Sequence, residues 1–392
     1  MSNSNFSIFL FIKDITLDGG AERVVINMAN EFSAMYKNVH IISLYKKNAI
    51  INYALSSSVL VHYLRPNTQY DEWQWRLNPV SRLIGRYLYS LGFTKRMYRI
   101  MDECIVKDDK AIVLLNGYEI PLYKRKDTFL IGVDHSSFPY LTERKKGGNI
   151  FYRVYSHIDR WVTRNLDIVT CLTDCQIKDW RSLGKPVWVM PNFIGSIPKQ
   201  LPLYVSREKI VLSMGRMMDE QKGFDRLISA FSKIADQFPG WKLRILGKGP
   251  LRQEYVDLIK SLKAESYIEM LDYTDRPEME YQKTSIYAMA SRWEGFPMVL
   301  IEAIANGLPS IAFDIDYGPS IIIKDGETGF LVKNGDEETY CSKLGILMSD
   351  CELREKMGRQ AHIDAISRFS SSVIIDQWVK LFNSLMNNNE VS

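Results

Sequence analysis

Between Ser7 and Met190 the sequence alternates short apolar runs with stretches of helical periodicity, the pattern of a parallel sheet joined by crossover helices. The apolar runs predict strands at Ser7–Ile12, Val39–Leu44, Leu60–Tyr63, Ala111–Leu115, Phe129–Val133, Ile168–Leu172 and Val187–Met190. After the first run, Asp18-Gly19-Gly20-Ala21-Glu22-Arg23 opens a helix reaching about Met35. Its N–H groups would face the carboxyl edge of the sheet, where ligands bind in such folds. A turn-rich stretch between Pro191 and Glu208 marks a boundary, and the alternation then restarts. Strands are expected at Ile210–Gly215, Lys242–Leu246, Ile268–Leu271, Ser285–Met289 and Ser310–Phe313, and helices at Phe224–Phe238, Leu251–Leu262 and Met279–Lys283. A last helical pattern, Ser371–Met386, carries Trp378 and Phe382. The fold class is therefore α/β with two doubly wound, Rossmann-like domains, residues 1–195 and 205–370, followed by a terminal helix in 371–392.

Composition sharpens this picture in three ways. A chain of 392 residues with 46% hydrophobic content is long enough for two cores, and no run of about 18 apolar residues is available to span a bilayer. The opening Phe6-Ser7-Ile8-Phe9-Leu10-Phe11-Ile12 reads as a buried strand rather than a signal peptide, since no basic segment precedes it and Lys13-Asp14 follows. The five cysteines are few and scattered, which fits a reducing, cytoplasmic compartment; Cys171 and Cys175 stand four apart with no third ligand nearby in sequence, so they make a poor zinc site. Charge is uneven: residues 1–195 hold 26 Lys and Arg against 18 Asp and Glu, a balance of +8 that suits an anionic surface.

The richest chemistry lies in Arg292-Trp293-Glu294-Gly295-Phe296-Pro297-Met298-Val299-Leu300-Ile301-Glu302, where two carboxylates eight residues apart bracket the start of an apolar helix. Pro297 suits the first helical position and Gly295 allows close approach of backbone to a ligand. Glu302 sits in an otherwise apolar run and needs a partner, because an unpaired carboxylate there costs several kcal/mol, in rough terms. One arrangement supplies it: the helix N-terminus holds a diphosphate, Glu302 accepts hydrogen bonds from ribose hydroxyls and Glu294 from a sugar.

The Glu-x7-Glu pattern, followed by Gly307-Leu308-Pro309-Ser310 and by Asp325-Gly326-Glu327-Thr328-Gly329-Phe330-Leu331-Val332, resembles the retaining glycosyltransferases of family 4. The resemblance implies the GT-B architecture, two doubly wound domains facing a central cleft, with the terminal helix crossing back onto the first. It implies donor binding by Gly295, Phe296, Pro297, Met298, Val299 and Glu302. It further assigns Arg216 and Lys222, in Gly215-Arg216 and Lys222-Gly223, as the cations aimed at the departing diphosphate. Gly247, in Leu246-Gly247-Lys248-Gly249, and Tyr273 fall on loops that in the family lie beside the nucleotide. Gly19 and Gly20 fall on the loop beside the donor phosphates, and His135 at a strand end that contacts the donor sugar. Front-face transfer then needs no separate general base, with Arg216, Lys222, Glu294 and His135 as the catalytic set. No cofactor and no essential metal are expected, the donor being a nucleotide-sugar co-substrate; Asp314-Ile315-Asp316 has the letters of a metal motif but follows a strand at another place.

Family members commonly extend lipid-diphosphate-linked saccharides in O-antigen, capsule or glycan assembly, and the same class of acceptor is expected here. Between Asn78 and Ile100, Val80, Leu83, Tyr87 and Leu91 stand at helical spacing among Arg82, Arg86, Lys95, Arg96 and Arg99. Lys124-Arg125-Lys126, Arg144-Lys145-Lys146, Trp73 and Trp75 add to a basic, aromatic surface able to lie on the cytoplasmic face of an anionic inner membrane, or else to a solvated helix whose other side is core. The expected donor is a UDP-hexose or UDP-N-acetylhexosamine. The competing readings are a GDP-mannose-dependent enzyme of the same fold and a non-catalytic binder of sugar nucleotides. No nucleic-acid-binding module is recognisable.

Overall fold

The computed structural model describes residues 6–66, 79–105, 109–117, 119–135, 161–182, 184–274, 276–316 and 318–387. Trp73, Trp75 and Arg144-Lys145-Lys146 lie outside them, as do the side chains of Val80, Arg82, Leu83 and Arg86. The chain divides into two compact units, Met1–Pro191 with Ile374–Ser392, and Asn192–Val373.

In the first unit the strands are β1 (Phe6–Ile12), β2 (Val39–Tyr45), β3 (Leu60–Arg65), β4 (Lys110–Asn116), β5 (Thr128–Val133), β6 (Ile168–Cys171) and β7 (Val187–Val189). They form one parallel sheet in the order β3-β2-β1-β4-β5-β6-β7. Every residue of β1 and β2 is buried, as expected of central parallel strands covered on both faces. The described helices of this unit are α1 (Gly20–Met35), α2 (Pro79–Cys104) and the short α3 (Ile177–Arg181). α2 buries Phe93, Met97, Tyr98 and Met101 among Phe9, Phe11, Ile42 and Leu44, while Ile84, Tyr87 and Leu88 are exposed. Of the stripe that the spacing predicts, Tyr87 is exposed and Leu91 half-buried, and the described core face of α2 is set by its later turns. Of the basic runs, Arg125 pairs with Asp102 and Asp127, and Lys124 with Asp167.

The second unit repeats the plan. Its strands are β8 (Ile210–Met214), β9 (Lys242–Leu246), β10 (Ile268–Leu271), β11 (Ile286–Met289), β12 (Ser310–Asp314) and β13 (Gly329–Lys333), all parallel, in the order β10-β9-β8-β11-β12-β13. The helices are α4 (Phe224–Ile234), α5 (Arg252–Ser261), α6 (Pro277–Lys283), α7 (Met298–Ala305), α8 (Pro319–Ile322), α9 (Glu337–Ser349) and α10 (Cys351–Phe369). The helix expected to reach Phe238 stops at Ile234 and tightens into a single 3₁₀ turn, Ala235–Gln237. Asp325-Gly326-Glu327-Thr328 is a turn: Leu331 N–H donates to Asp325 Oδ1 at 2.9 Å and Lys324 N–H to Thr328 Oγ1 at 2.9 Å, which aims the chain into β13.

The last helix, α11 (Ser371–Met386), returns to the first unit. Its Phe382 ring lies 5.3 Å from Phe32 and 6.3 Å from both Phe6 and Tyr36, and Trp378 lies 6.2 Å from Phe32.

Candidate active site

In both sheets the strand order reverses direction beside the first strand, between β1 and β4 and between β8 and β11. Such a switch point leaves a crevice at the carboxyl ends of the strands. In the second unit the chain leaves β8 as Gly215-Arg216 and leaves β11 as Ala290-Ser291-Arg292-Trp293-Glu294, so the sequence motifs converge on this crevice.

There Lys222 Nζ lies 2.7 Å from Glu294 Oε1, and Ser291 Oγ donates to the same oxygen at 2.8 Å. Both charged side chains are largely buried, at 15% and 6% exposure, so each needs the other. The lysine is positioned by backbone. A 3₁₀ turn, Glu220–Lys222, is capped by Asp219, which accepts from Gln221 N–H at 3.0 Å. Gly223 follows at φ +61°, where a Cβ would stand 2.0 Å from the Ala290 carbonyl oxygen, so this turn lies directly on the β11 loop. Arg292 locks the two segments together: its N–H donates to Gln221 O at 2.8 Å, and its guanidinium grips Asp225 through two bonds of 2.8 and 2.6 Å. Those bonds hold the Asp225 carboxyl below the usual carboxylate range.

Lys222 crosses over Gly215, whose missing side chain leaves room for its stem; a Cβ there would stand 3.0 Å from Lys222 Cγ. Arg216 is exposed, and its guanidinium has no ion-pair partner among the described residues. Gly247 packs on the same loop, with Gly215 N–H donating to Leu246 O at 3.0 Å, and a Cβ on Gly247 would meet the Gly215 carbonyl oxygen at 2.0 Å. Gly247 N–H in turn donates to Leu271 O at 3.2 Å, and the exposed Tyr273 ring takes Lys248 Nζ 5.2 Å from its centroid. The Gly215, Gly247 and Tyr273 loops therefore form one continuous edge.

α7 opens this edge with an uncapped N-terminus. Pro297 is its N-cap, in extended conformation, rather than its first helical residue, and its carbonyl already accepts from Leu300 and Ile301. With a ring in place of a capping hydroxyl, it leaves the amides of Met298 and Val299 without a side-chain cap. Phe296 points into the core, edge-on to Phe369 at 5.9 Å, so only its backbone and that of Gly295 are placed to meet a ligand. Glu302 is buried with a partner inside the protein: Tyr281 on α6 donates to its Oε2 at 3.0 Å. Ser291 and Tyr281 carried no sequence signal, because a serine near a glutamate and a tyrosine 21 residues from its partner match no pattern.

In the first unit Gly19 caps α1 without a side chain, and a Cβ there would stand 2.0 Å from Glu22 Oε2, whereas Gly20 has open space. His135 Nε2 lies 2.7 Å from Asn116 Oδ1 at the end of β4. The Asn116 amide donates to Phe11 O and Leu114 O, so its oxygen faces the ring and Nε2 is the donor. His135 Nδ1 then carries a lone pair with no partner among the described residues. Burial lowers the His135 pKa to about 4. Between roughly pH 4 and the ordinary histidine value of about 6.5, the unfolded chain binds a proton that folded His135 refuses. Stability thus falls as pH drops through that window. Urea midpoints at pH 7 and pH 5 test this: the loss on acidification is expected to be smaller in His135→Gln, and an unchanged loss would refute the assignment.

Two doubly wound parallel-sheet units, each with its own switch point, give the chain the GT-B fold of the solved structures on which it superimposes. Residues 198–363 match the family model described as glycosyl transferases, group 1. The chain is 26% identical over 389 residues to an uncharacterised glycosyltransferase of Haemophilus influenzae, covering 95% of this chain and 98% of that protein. It is 33% identical to the amylovoran biosynthesis glycosyltransferase AmsD of Erwinia amylovora, over 46% of this chain and 50% of the relative. Among curated relatives the share of their own length that it spans goes as low as 24%. TarM of S. aureus, solved with UDP and α-GlcNAc-glycerol, superimposes with a TM-score of 0.72 at 17% identity, over 96% of this chain and all of that one.

Proposed function

We propose that the protein is a retaining glycosyltransferase of family 4 that moves a hexose or N-acetylhexosamine from a UDP-sugar to a lipid-diphosphate-linked saccharide in surface polysaccharide assembly. The observation that carries this reading is the Lys222–Glu294–Ser291 cluster beside the uncapped α7. The amides of α7 and the cations Lys222 and Arg216 suit a diphosphate that gains charge as the glycosidic bond breaks, because fixed donors aimed at developing charge stabilise the transition state more than the ground state. Glu294, held by Ser291, suits the sugar hydroxyls, and Glu302 the ribose. In front-face transfer the acceptor hydroxyl gives its proton to the departing phosphate, so this residue set needs no further base. The basic charge of the first half and the exposed Ile84, Tyr87 and Leu88 of α2 support contact with an anionic membrane from the cytoplasmic side. No helix of the described residues is long and apolar enough to cross that membrane.

A panel of UDP- and GDP-sugars with a short lipid-diphosphate-sugar acceptor, run with and without EDTA, tests the reading. Turnover of one UDP-sugar that survives EDTA, with the anomeric configuration of the product read by NMR and found unchanged, is expected. Turnover with GDP-mannose alone, an inverted product, or donor binding without transfer to any of several acceptors would each overturn the corresponding part.

A further inference from the structure

The first sheet carries a second group of chemistry-bearing side chains, away from the edge that holds His135. His40 on β2 and His62 on β3 share one sheet face, since Ile42, two residues from His40, is the register partner of His62. Cys104, the last residue of α2, comes down on the same point. His40 Nδ1 lies 3.2 Å from His62 Nε2, and Cys104 Sγ lies 3.6 Å from that same nitrogen. All three ligand atoms fall within 4.8 Å of one another, the one such group among the described residues.

The two separations at His62 Nε2 fit a shared ion. A tetrahedral zinc site with Zn–N of about 2.05 Å and Zn–S of about 2.3 Å holds its donor atoms roughly 3.3 Å apart for N and N and roughly 3.6 Å apart for N and S. Hydrogen bonding alone fits less well, because His62 Nε2 has a single proton or a single lone pair and faces two partners at once. The His40 ring is 5% exposed and stacks on Phe9 at 4.8 Å, which fixes its orientation.

We propose that His40, His62 and Cys104 bind one divalent ion of the zinc class, with the fourth position taken by water or an outside ligand. The Cys104 thiol loses its proton to solvent as the S–metal bond forms. The ligands come from the first half of β2, the first half of β3 and the end of α2, whereas His135 follows the carboxyl end of β5. The ion would therefore clamp edge strand β3 and α2 onto β2 and stand apart from the transfer chemistry.

The test uses the full-length protein stripped with a chelator and titrated with Co²⁺. A thiolate-to-cobalt charge-transfer band with tetrahedral d–d bands, saturating at one equivalent and displaced by Zn²⁺, is expected. Zn²⁺ should also raise the thermal midpoint. Cys104→Ser abolishes the charge-transfer band and His62→Gln the stoichiometric binding, while Cys175→Ser and Cys351→Ser, at the exposed cysteines, change neither. Should the ligand variants fold poorly, the wild type still decides: one equivalent of Zn²⁺ must protect Cys104 from alkylation as mapped by mass spectrometry. No saturable band, a band that survives both ligand substitutions, or alkylation of Cys104 at an unchanged rate would overturn the proposal.

Discussion

Lys222→Ala is expected to lower kcat for sugar transfer about 10²–10³-fold, the size of effect seen when one preorganised donor to a developing negative charge is removed. The same substitution strands Glu294, a carboxylate of 6% exposure, with Ser291 as its remaining named partner. A stability loss of about 3 kcal/mol should accompany it, the low end for breaking a buried pair because Lys222 keeps some access to water. The two effects separate in the double variant Lys222→Ala/Glu294→Ala. Removing both charges leaves nothing to desolvate, so the melting temperature should return most of the way while transfer stays lost. Activity that recovers along with the melting temperature would show that the pair only holds the loop together and does not touch the donor.

Phe382→Ala carries the largest expected effect on stability. The ring sits at the centre of a four-membered aromatic cluster with Phe6, Phe32 and Tyr36, is fully buried, and has Trp378 at 5.7 Å on its own helix. Deleting it leaves a cavity that β1 and α1 cannot close without moving the centre of the first sheet, at a cost of about 3–5 kcal/mol. Denaturant unfolding followed at the two units separately should show the first unit, not the second, losing that stability. Equal loss in both would mean that α11 belongs to neither core alone.

The strands were legible because parallel strands buried on both faces read as unbroken apolar runs, as Phe6–Ile12 and Val39–Tyr45 do. β13 and the helices α9 and α10 were not read from the sequence. The polar turn Asp325–Thr328 hides the entry to β13, a short strand whose first residue, Gly329, has no room for a Cβ, which would meet the Ser310 carbonyl oxygen at 2.0 Å. At the site, Lys222 and Glu294 were visible through spacing and resemblance, but their pairing was not, since 72 residues separate them. Pro297 stands one residue ahead of the position the sequence suggests, because proline suits both the cap and the first helical position and only its extended backbone, at ψ 95°, distinguishes them. His40, His62 and Cys104 share no spacing at all; only the register of β2 against β3 and the length of α2 bring them together.

The return of α11 has a consequence for the order of biosynthesis. The ribosome makes β1 to β7 first, yet the helix that covers Phe6, Phe32 and Tyr36 begins after the whole second unit has been made. Between Pro191 and Ile374 lie about 180 residues, or roughly ten to forty seconds of translation, during which an apolar face of the nascent first unit is open to chaperones or to wrong partners. The second unit, contiguous in sequence, can close its own core first, so the chain matures in the reverse of the order in which it is made.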